Sequence, residues 1–226
     1  MAMSPFLADE FYKNHKIKPQ FIVPNALDPE MFAPNAGVAK DIDILGAGSF
    51  EPLKQYDVFT RVVKSLADAF PALQARHCGM GRERKKIEAL VSQLALQKNL
   101  QLLGERTHKE VLQLMQRAKI FLHTSSYEGF STVCLEALNA GAHVISFCYP
   151  LHQPVRHWHV VHSEKEMLEK AAEILQNRDT EYTPVLLYRM AGSAKMVMEL
   201  FHAVPDEYEA HKSGFSTHQP QKHNHH

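Results

Sequence analysis

From residue 42 onward, the chain alternates short apolar runs with longer segments of helical periodicity. Two of the predicted helices open with capping boxes, formed by Thr107 with Glu110 and by Ser163 with Glu166. Such alternation is typical of an α/β domain in which a parallel sheet is flanked by helices. The apolar runs predict strands at 42–45, 73–78, 99–103, 119–123, 142–147 and 158–161.

The two ends of the chain do not continue this alternation. Residues 1–40 hold one strand candidate, 21–23, followed by the turn-rich segment PNALDPEMFAP, so we expect an arm or interdomain linker. Residues 41–180 form the predicted domain. A C-terminal helix is expected within 181–205, over about 185–201, and a disordered tail over 206–226, which ends in HQPQKHNHH.

Charge and cysteine usage exclude several classes of partner. The 25 Lys and Arg residues balance 25 Asp and Glu residues, which argues against a broad nucleic-acid-binding surface and against strong attraction to anionic membranes. Cys78, Cys134 and Cys148 are odd in number and widely spaced, unlike a disulfide framework or paired zinc ligands. His157 and His159, around Trp158, are expected to be structural, and we predict no metal site.

The chain also lacks the patterns of membrane insertion. It contains no apolar run of about 18 residues, the length that suggests a membrane-spanning helix, and no signal peptide pattern at its start. We therefore expect no transmembrane segment and a cytoplasmic location, at most peripheral at the membrane face.

Glycines and hydroxyl-bearing residues cluster in three of the predicted strand-to-helix loops. In open parallel sheets, ligands bind beyond the carboxyl ends of the strands, where such loops meet. We therefore expect the three loops to form one phosphate-accepting rim. They are GAGSFEPLK at 46–54, GMG at 79–81 and TSSYEGFST at 124–132.

The third loop ends at a helix predicted to begin near Thr132. Unpaired backbone N–H groups and the positive end of the helix dipole favour an anion there. Gly129 permits close approach of the backbone, and Ser131 and Thr132 add hydroxyl donors. The sequence thus predicts that this helix start binds a diphosphate.

Glu128 and Glu136 flank this helix start. Glu136 lies about 6 Å further along the helix at about 1.5 Å per residue. Our hypothesis is that each carboxylate accepts hydrogen bonds from one sugar, with the diphosphate between them. On spacing alone, the simpler interpretation is a pair of ordinary surface glutamates.

Several motifs in order resemble the C-terminal half of the retaining, metal-independent GT-B glycosyltransferases of family 4, also called group 1. The resemblance covers about 20–177 and implies a Rossmann-like donor-binding domain without the N-terminal half that binds the acceptor, with residues 1–40 as the linker. It therefore implies an excised domain or one half of a split enzyme. The motifs are VPNALDPEMF, GSFEPLK, CGMGRERKKIEAL, NLQLLGE and the E-x7-E motif in EGFSTVCLEALNAG.

The resemblance implies roles for individual residues. Lys54 would pair with the donor diphosphate and Glu128 would hold the transferred sugar, and these two are the predicted catalytic residues. The donor would be a nucleotide-diphosphate sugar, with no cofactor or metal, and the acceptor a glycan or lipid-linked glycan bound through the missing half. The predicted donor-binding residues are Gly48, Ser49, Gly79, Gly81, Leu103, Gly104, Gly129, Phe130, Ser131, Thr132 and Glu136.

The sequence departs from the family pattern at two positions of the first loop. Ser49 stands where an arginine is usual, so one positive charge is missing, and Arg82 and Arg84 are the candidate replacements. Gln55 stands where a glycine usually follows the lysine.

Other functions are also compatible with parts of the pattern. A non-catalytic nucleotide- or phosphate-binding module of the same fold is the main alternative, and the isolated domain is expected to transfer nothing alone. A glycoside hydrolase is disfavoured because its two carboxyls must face one sugar across about 5 to 9.5 Å. A dinucleotide dehydrogenase is disfavoured because no acid is identifiable about 20 residues beyond a GxGxxG loop.

Overall fold

The computed structural model describes residues 1–31, 33–34 and 37–203. In it, six strands form one sheet in the order β3-β2-β1-β4-β5-β6, and every neighbouring pair is parallel. β2 and β3 thus extend the sheet on one side of β1, and β4, β5 and β6 extend it on the other side. The strand order therefore reverses between β1 and β4, which is called the reversal point below. The strands are β1 Ile42–Ala47, β2 Ala75–Cys78, β3 Leu100–Gly104, β4 Ala118–His123, β5 His143–Ser146 and β6 Trp158–Val160.

Helices connect the strands and cover both faces of the sheet. Thr107 and Glu110 form the predicted capping box at the start of α4. Ser163 caps α6, but Glu166 accepts from the N–H of His162 instead of closing the box. The helices are α1 Pro5–His15, α2 Tyr56–Ala69, α3 Arg84–Gln93, α4 His108–Arg117, α5 Thr132–Asn139, α6 Glu164–Gln176 and α7 Met190–Ala203, with a short 3-10 helix at Pro52–Lys54.

Alternate residues of the central strands point to opposite faces of the sheet and belong to two hydrophobic cores. Ile44 and Ile120 pack under α2, α3 and α6, whereas Leu45 and Phe121 pack under α4 and α5. All four side chains are fully buried. A parallel sheet covered on both faces buries both sets of side chains, which explains the near-continuous apolar runs in the sequence. Because β1 and β4 are paired in parallel between the two cores, their carboxyl ends lie side by side.

The N-terminal segment contains a helix that the sequence pattern did not predict. In α1, the Ser4 hydroxyl accepts from Leu7 N at 3.1 Å, Pro5 occupies the first turn and Lys16 ends the helix in a left-handed conformation. Residues 21–23 form no regular strand, and Ile22 makes only an isolated bridge with Ala2.

The last helix begins later than predicted, at Met190 instead of Val185. Residues 181–188 lie outside regular secondary structure and hydrogen-bond to other parts of the domain. Val185 N donates to Leu138 O at 2.9 Å, and Leu27 N donates to Tyr188 O at 3.0 Å. The predicted tail at 206–226 lies outside the described residues. None of the helices within the described residues combines the length and the hydropathy needed to cross a bilayer.

Candidate functional site

The loops that follow β1, β2 and β3 are hydrogen-bonded to one another. Gly48 N donates to Cys78 O at 3.0 Å, and Gly79 N donates to Gly104 O at 2.8 Å. A Cβ on Gly79 would lie 1.9 Å from Gly48 O, and one on Gly81 would lie 2.6 Å from the backbone of Phe50. Gly79 and Gly81 are therefore required by the packing of the loops themselves.

An open cleft of about 280 Å³ lies beyond these strand ends. Three predicted donor-binding residues, Gly48, Ser49 and Gly79, line it together. Gly104 ends β3 nearby with a positive φ of 75°, and Leu103 packs against the core under α4 and α5. The other lining residues are Ala47, Cys78, Met80, Glu105, Arg106 and Val111.

Arg106 supplies a positive charge that was not among the predicted site residues. It lines the same cleft as Ser49, whereas the two arginines suggested as replacements make other contacts. Arg82 pairs with Glu51 at 2.6 Å. Arg84 pairs with Glu88 at 2.6 Å and also donates to Met80 Sδ, which lines this cleft. Arg106 could have been predicted as a site residue from the sequence, because it lies just beyond the carboxyl end of a predicted strand.

Lys54 and Glu128 form an ion pair at the point where the sheet order reverses. Lys54 follows β1 and Glu128 follows β4, and their side chains are only 25% and 18% exposed. The two loops are held together because Thr124 Oγ1 donates to Lys54 O at 2.7 Å and Ser126 N donates to Leu53 O at 3.0 Å. The structure thus brings the two predicted catalytic residues into contact.

Glu128 is held in its ionised form. Burial raises its pKa, but hydrogen bonds and charges from His123 and Lys54 outweigh burial and lower the pKa to about 2. His123 Nε2 lies 3.4 Å from Glu128 Oε1. An ionised carboxylate only accepts hydrogen bonds, so Glu128 suits the binding of hydroxyl groups and not proton donation.

Gln55 adopts the conformation for which a glycine is usual. Its φ is 49° and its ψ is 47°, in the left-handed region. A non-glycine residue there costs about 1–2 kcal/mol. The backbone turn that follows Lys54 is therefore retained despite the departure from the family pattern.

The start of α5 is not capped by its own N-cap side chain. Ser131 is buried, and its Oγ lies 3.2 Å from His123 Nε2 instead of bonding to the helix amides. The Thr132 hydroxyl accepts from Asn25 Nδ2 at 3.1 Å. Both predicted hydroxyl groups are thus present at the helix start, each with a protein partner.

The N-terminal segment packs against the loop before α5. Ser4 Oγ donates to Gly129 O at 2.7 Å, and a Cβ on Gly129 would lie 2.9 Å from Leu7. The close approach at Gly129 in this structure is therefore made by α1. Phe130 is 7% exposed and belongs to the core, where its ring lies 6.0 Å from that of Tyr188.

Glu136 lies one turn inside α5 and is 9% exposed. Its Oε1 lies 3.0 Å from His108 Nε2, and burial raises its pKa while His108 opposes that shift. Glu136 and His108 line a cleft of about 340 Å³ together with Met31, Leu112 and other residues. This cleft is not the one lined by Gly48 and Ser49, although α4 contributes residues to both.

Metal-ligating side chains do not cluster in the part of the chain that the structure describes. No group of three His, Cys, Asp or Glu residues there is placed to hold an ion. His143, His157 and His159 stack on one another at the edge of the sheet, with ring centroids of His143 and His157 4.3 Å apart.

A parallel sheet in this order, with its glycine loops and a lysine–glutamate pair at the reversal point, defines a Rossmann-like α/β domain. The profile of the family described as glycosyl transferases group 1 matches residues 28–183. This match spans more than half of the chain, and the chain therefore belongs to that family. The predictions of an α/β fold and of a group 1 glycosyltransferase domain are confirmed.

Two curated relatives are named as N-acetylglucosaminyltransferases. The gpi3 subunit of the Schizosaccharomyces pombe phosphatidylinositol N-acetylglucosaminyltransferase is 32% identical over 127 residues, which cover 55% of this chain and 28% of that protein. The 2-deoxystreptamine N-acetyl-D-glucosaminyltransferase of Niallia circulans is 33% identical over 103 residues, or 46% of this chain and 26% of that protein. The chain thus matches only a little over a quarter of the length of these relatives.

Solved structures share the fold. Anabaena HepE in complex with UDP and glucose superposes with a TM-score of 0.74 at 15% identity, over 90% of this chain and 62% of that one. The C-terminal domain of the group 1 family protein LpcC from Francisella tularensis gives a TM-score of 0.59 at 18% identity, over 77% and 98% of the two chains. The architecture is that of the C-terminal domain of a GT-B glycosyltransferase.

Proposed function

We propose that this chain is the donor-binding domain of a retaining glycosyltransferase and that it binds a nucleotide-diphosphate sugar without a metal. The ion pair of Lys54 and Glu128 at the reversal point between β1 and β4 is the observation that carries the proposal. It places a cation and a hydrogen-bond acceptor together where open α/β sheets bind their ligands.

Lys54 is the group proposed to hold the diphosphate. Departure of a nucleoside diphosphate builds negative charge, and a preorganised cation with nearby amides stabilises that charge. The amides at the start of α5, left uncapped by Ser131, are the proposed second contribution. Arg106, which lines the cleft beside Ser49, supplies further positive charge.

The two glutamates are proposed to bind the sugars of the donor. Glu128 remains ionised and accepts hydrogen bonds from the hydroxyl groups of the transferred sugar. Glu136 accepts hydrogen bonds from the ribose, in the cleft that it shares with His108. The donor would then extend along α5, with its diphosphate near Ser131.

UDP-N-acetylglucosamine is the first donor to test. Two relatives are named as N-acetylglucosaminyltransferases, and the Anabaena structure is a complex with UDP and glucose. Sugar transfer to a glycan or lipid-linked acceptor requires the rest of a GT-B enzyme. We therefore expect this domain to bind the donor but not to transfer the sugar by itself. We propose a cytosolic location.

Glu136→Ala should weaken UDP binding about tenfold, because one hydrogen-bonding charge that holds the ribose is lost. Isothermal titration calorimetry with UDP measures the effect on the wild-type and variant proteins. Glu169→Ala is the matched control, since Glu169 is an exposed glutamate of α6 whose nearest cation, Lys165, lies 3.7 Å away. Equal affinities of Glu136→Ala and wild type would refute the ribose role.

A non-catalytic nucleotide-binding module is the second candidate. It is favoured by Ser49 in place of the usual arginine and by the pairing of Arg82 with Glu51. The same titrations separate the two functions. A module that binds only the nucleotide makes no contact with the sugar. Glu128→Gln would then leave its affinity for UDP-N-acetylglucosamine unchanged.

A further inference from the structure

His123 is the last residue of β4, at the reversal point of the sheet, and is 5% exposed. Its Nε2 lies 3.4 Å from Glu128 Oε1, 3.2 Å from Ser131 Oγ and 3.4 Å from Ser125 Oγ. Its Nδ1 is buried and has no hydrogen-bond partner among the described residues. All polar contacts of the ring are therefore made by one nitrogen, which faces the candidate site.

These contacts select one tautomer of the neutral ring. A proton on Nδ1 would leave a buried N–H without an acceptor, which costs about 1–3 kcal/mol. A proton on Nε2 has an acceptor in the carboxylate of Glu128, which only accepts hydrogen bonds, and the hydroxyls of Ser125 and Ser131 can accept as well. His123 therefore acts as an Nε2–H donor to this side of the site.

Glu128 has two donors in this structure, Lys54 and His123. When Lys54 turns to a bound diphosphate, His123 is the donor that stays with the carboxylate. The other titratable groups that act on Glu128 are a phenol and two thiols whose pKa is raised by burial, so they stay neutral near pH 7 and supply no positive charge in place of the lysine. They are Tyr56, Cys134 and Cys148.

We propose that His123 is a positioning residue that holds Glu128 toward the transferred sugar once Lys54 has been taken by the diphosphate. The role rests on the proposed donor-binding function and adds a residue to it. Because His123 acts through Glu128, its contribution concerns the sugar and not the nucleotide. The ratio of the Kd for UDP-N-acetylglucosamine to the Kd for UDP reports that contribution.

The test compares His123→Leu, which fills the same space without a donor, with His123→Gln, whose amide carries an N–H. Calorimetry with UDP and with UDP-N-acetylglucosamine gives the Kd ratio for each protein, and thermal melts check folding. We expect the ratio to rise about tenfold in His123→Leu and to return close to the wild-type value in His123→Gln. If His123→Leu does not fold, His123→Asn, whose amide is too short to reach Glu128, replaces it with the same expectation.

The pH dependence gives a second readout. Loss of the His123 donor raises the pKa of Glu128, so the pH below which the sugar contribution disappears should move upward in His123→Leu. Equal weakening of UDP and UDP-N-acetylglucosamine, or no rescue by glutamine, would show a merely structural histidine. Failure of the wild-type protein to bind UDP would instead overturn the proposed function and, with it, this role.

Discussion

Replacing Lys54 with alanine should weaken the binding of UDP about 10- to 100-fold, the effect of removing a hydrogen-bonding charge from a partly buried site. Lys54 is only 25% exposed and is held beside Glu128 by the loops that follow β1 and β4. The variant also leaves the Glu128 carboxylate without its cation, so repulsion of the diphosphate adds to the loss. Calorimetric titration at low and high salt measures the change and its electrostatic part.

Lys64→Ala provides the control for this variant. Lys64 lies on α2 and pairs with Asp68 on the same helix, so the substitution removes the same charge without touching the candidate site. Its UDP affinity should equal that of the wild-type protein. If Lys54→Ala binds UDP as tightly as Lys64→Ala, the diphosphate is not held by Lys54 and the proposed site is wrong.

Gly79→Ala should destabilise the domain by about 2–4 kcal/mol and abolish measurable UDP binding. The new Cβ would overlap Gly48 O, and the φ of 147° is strained for any residue with a side chain. The melting temperature should fall by roughly 5–15 °C for a domain of this size. Thermal melts followed by circular dichroism measure the change.

Gly192→Ala is the matched glycine substitution. Nothing lies within 4 Å of the added Cβ, and the residue is part of α7. Its stability should be unchanged or higher by up to about 1 kcal/mol, because alanine favours the helix. A Gly79→Ala protein as stable as Gly192→Ala would mean that the loops after β1 and β2 do not pack as described.

The regular part of the fold was predictable because its strands are buried on both faces. The run KIFLH, for example, predicted a strand at 119–123, and β4 spans Ala118–His123 with four consecutive buried residues at its end. Helix α1 was missed although Ser4 and Pro5 are local signals of a helix start, and it is also held by contacts remote in sequence, such as that of Ser4 with Gly129. The segment before α7 was mistaken for helix because its hydrogen bonds to remote residues, such as that of Val185 with Leu138, are not visible in the sequence.

The parts of the candidate site that follow from the strand order were predictable, whereas contacts that depend on the position of a single side chain were not. The meeting of Lys54 with Glu128 follows from the reversal of strand order, which places the ends of β1 and β4 side by side. In the sequence, His123 is the last residue of an apolar run and resembles an ordinary core residue. Its spacing from Glu128 did not indicate that the two side chains are in contact. The roles assigned to the donor-binding residues stay predictions.

A titration of the ¹⁵N-labelled protein with UDP, followed by amide chemical shifts, tests whether the loops at the strand ends bind the nucleotide. We expect saturable shifts concentrated in three loops, at Gly48 and Ser49, at Gly79 to Gly81, and at Gly129 to Thr132. Absence of shifts at millimolar UDP, or shifts confined to the opposite edge of the sheet around β6, would contradict this expectation.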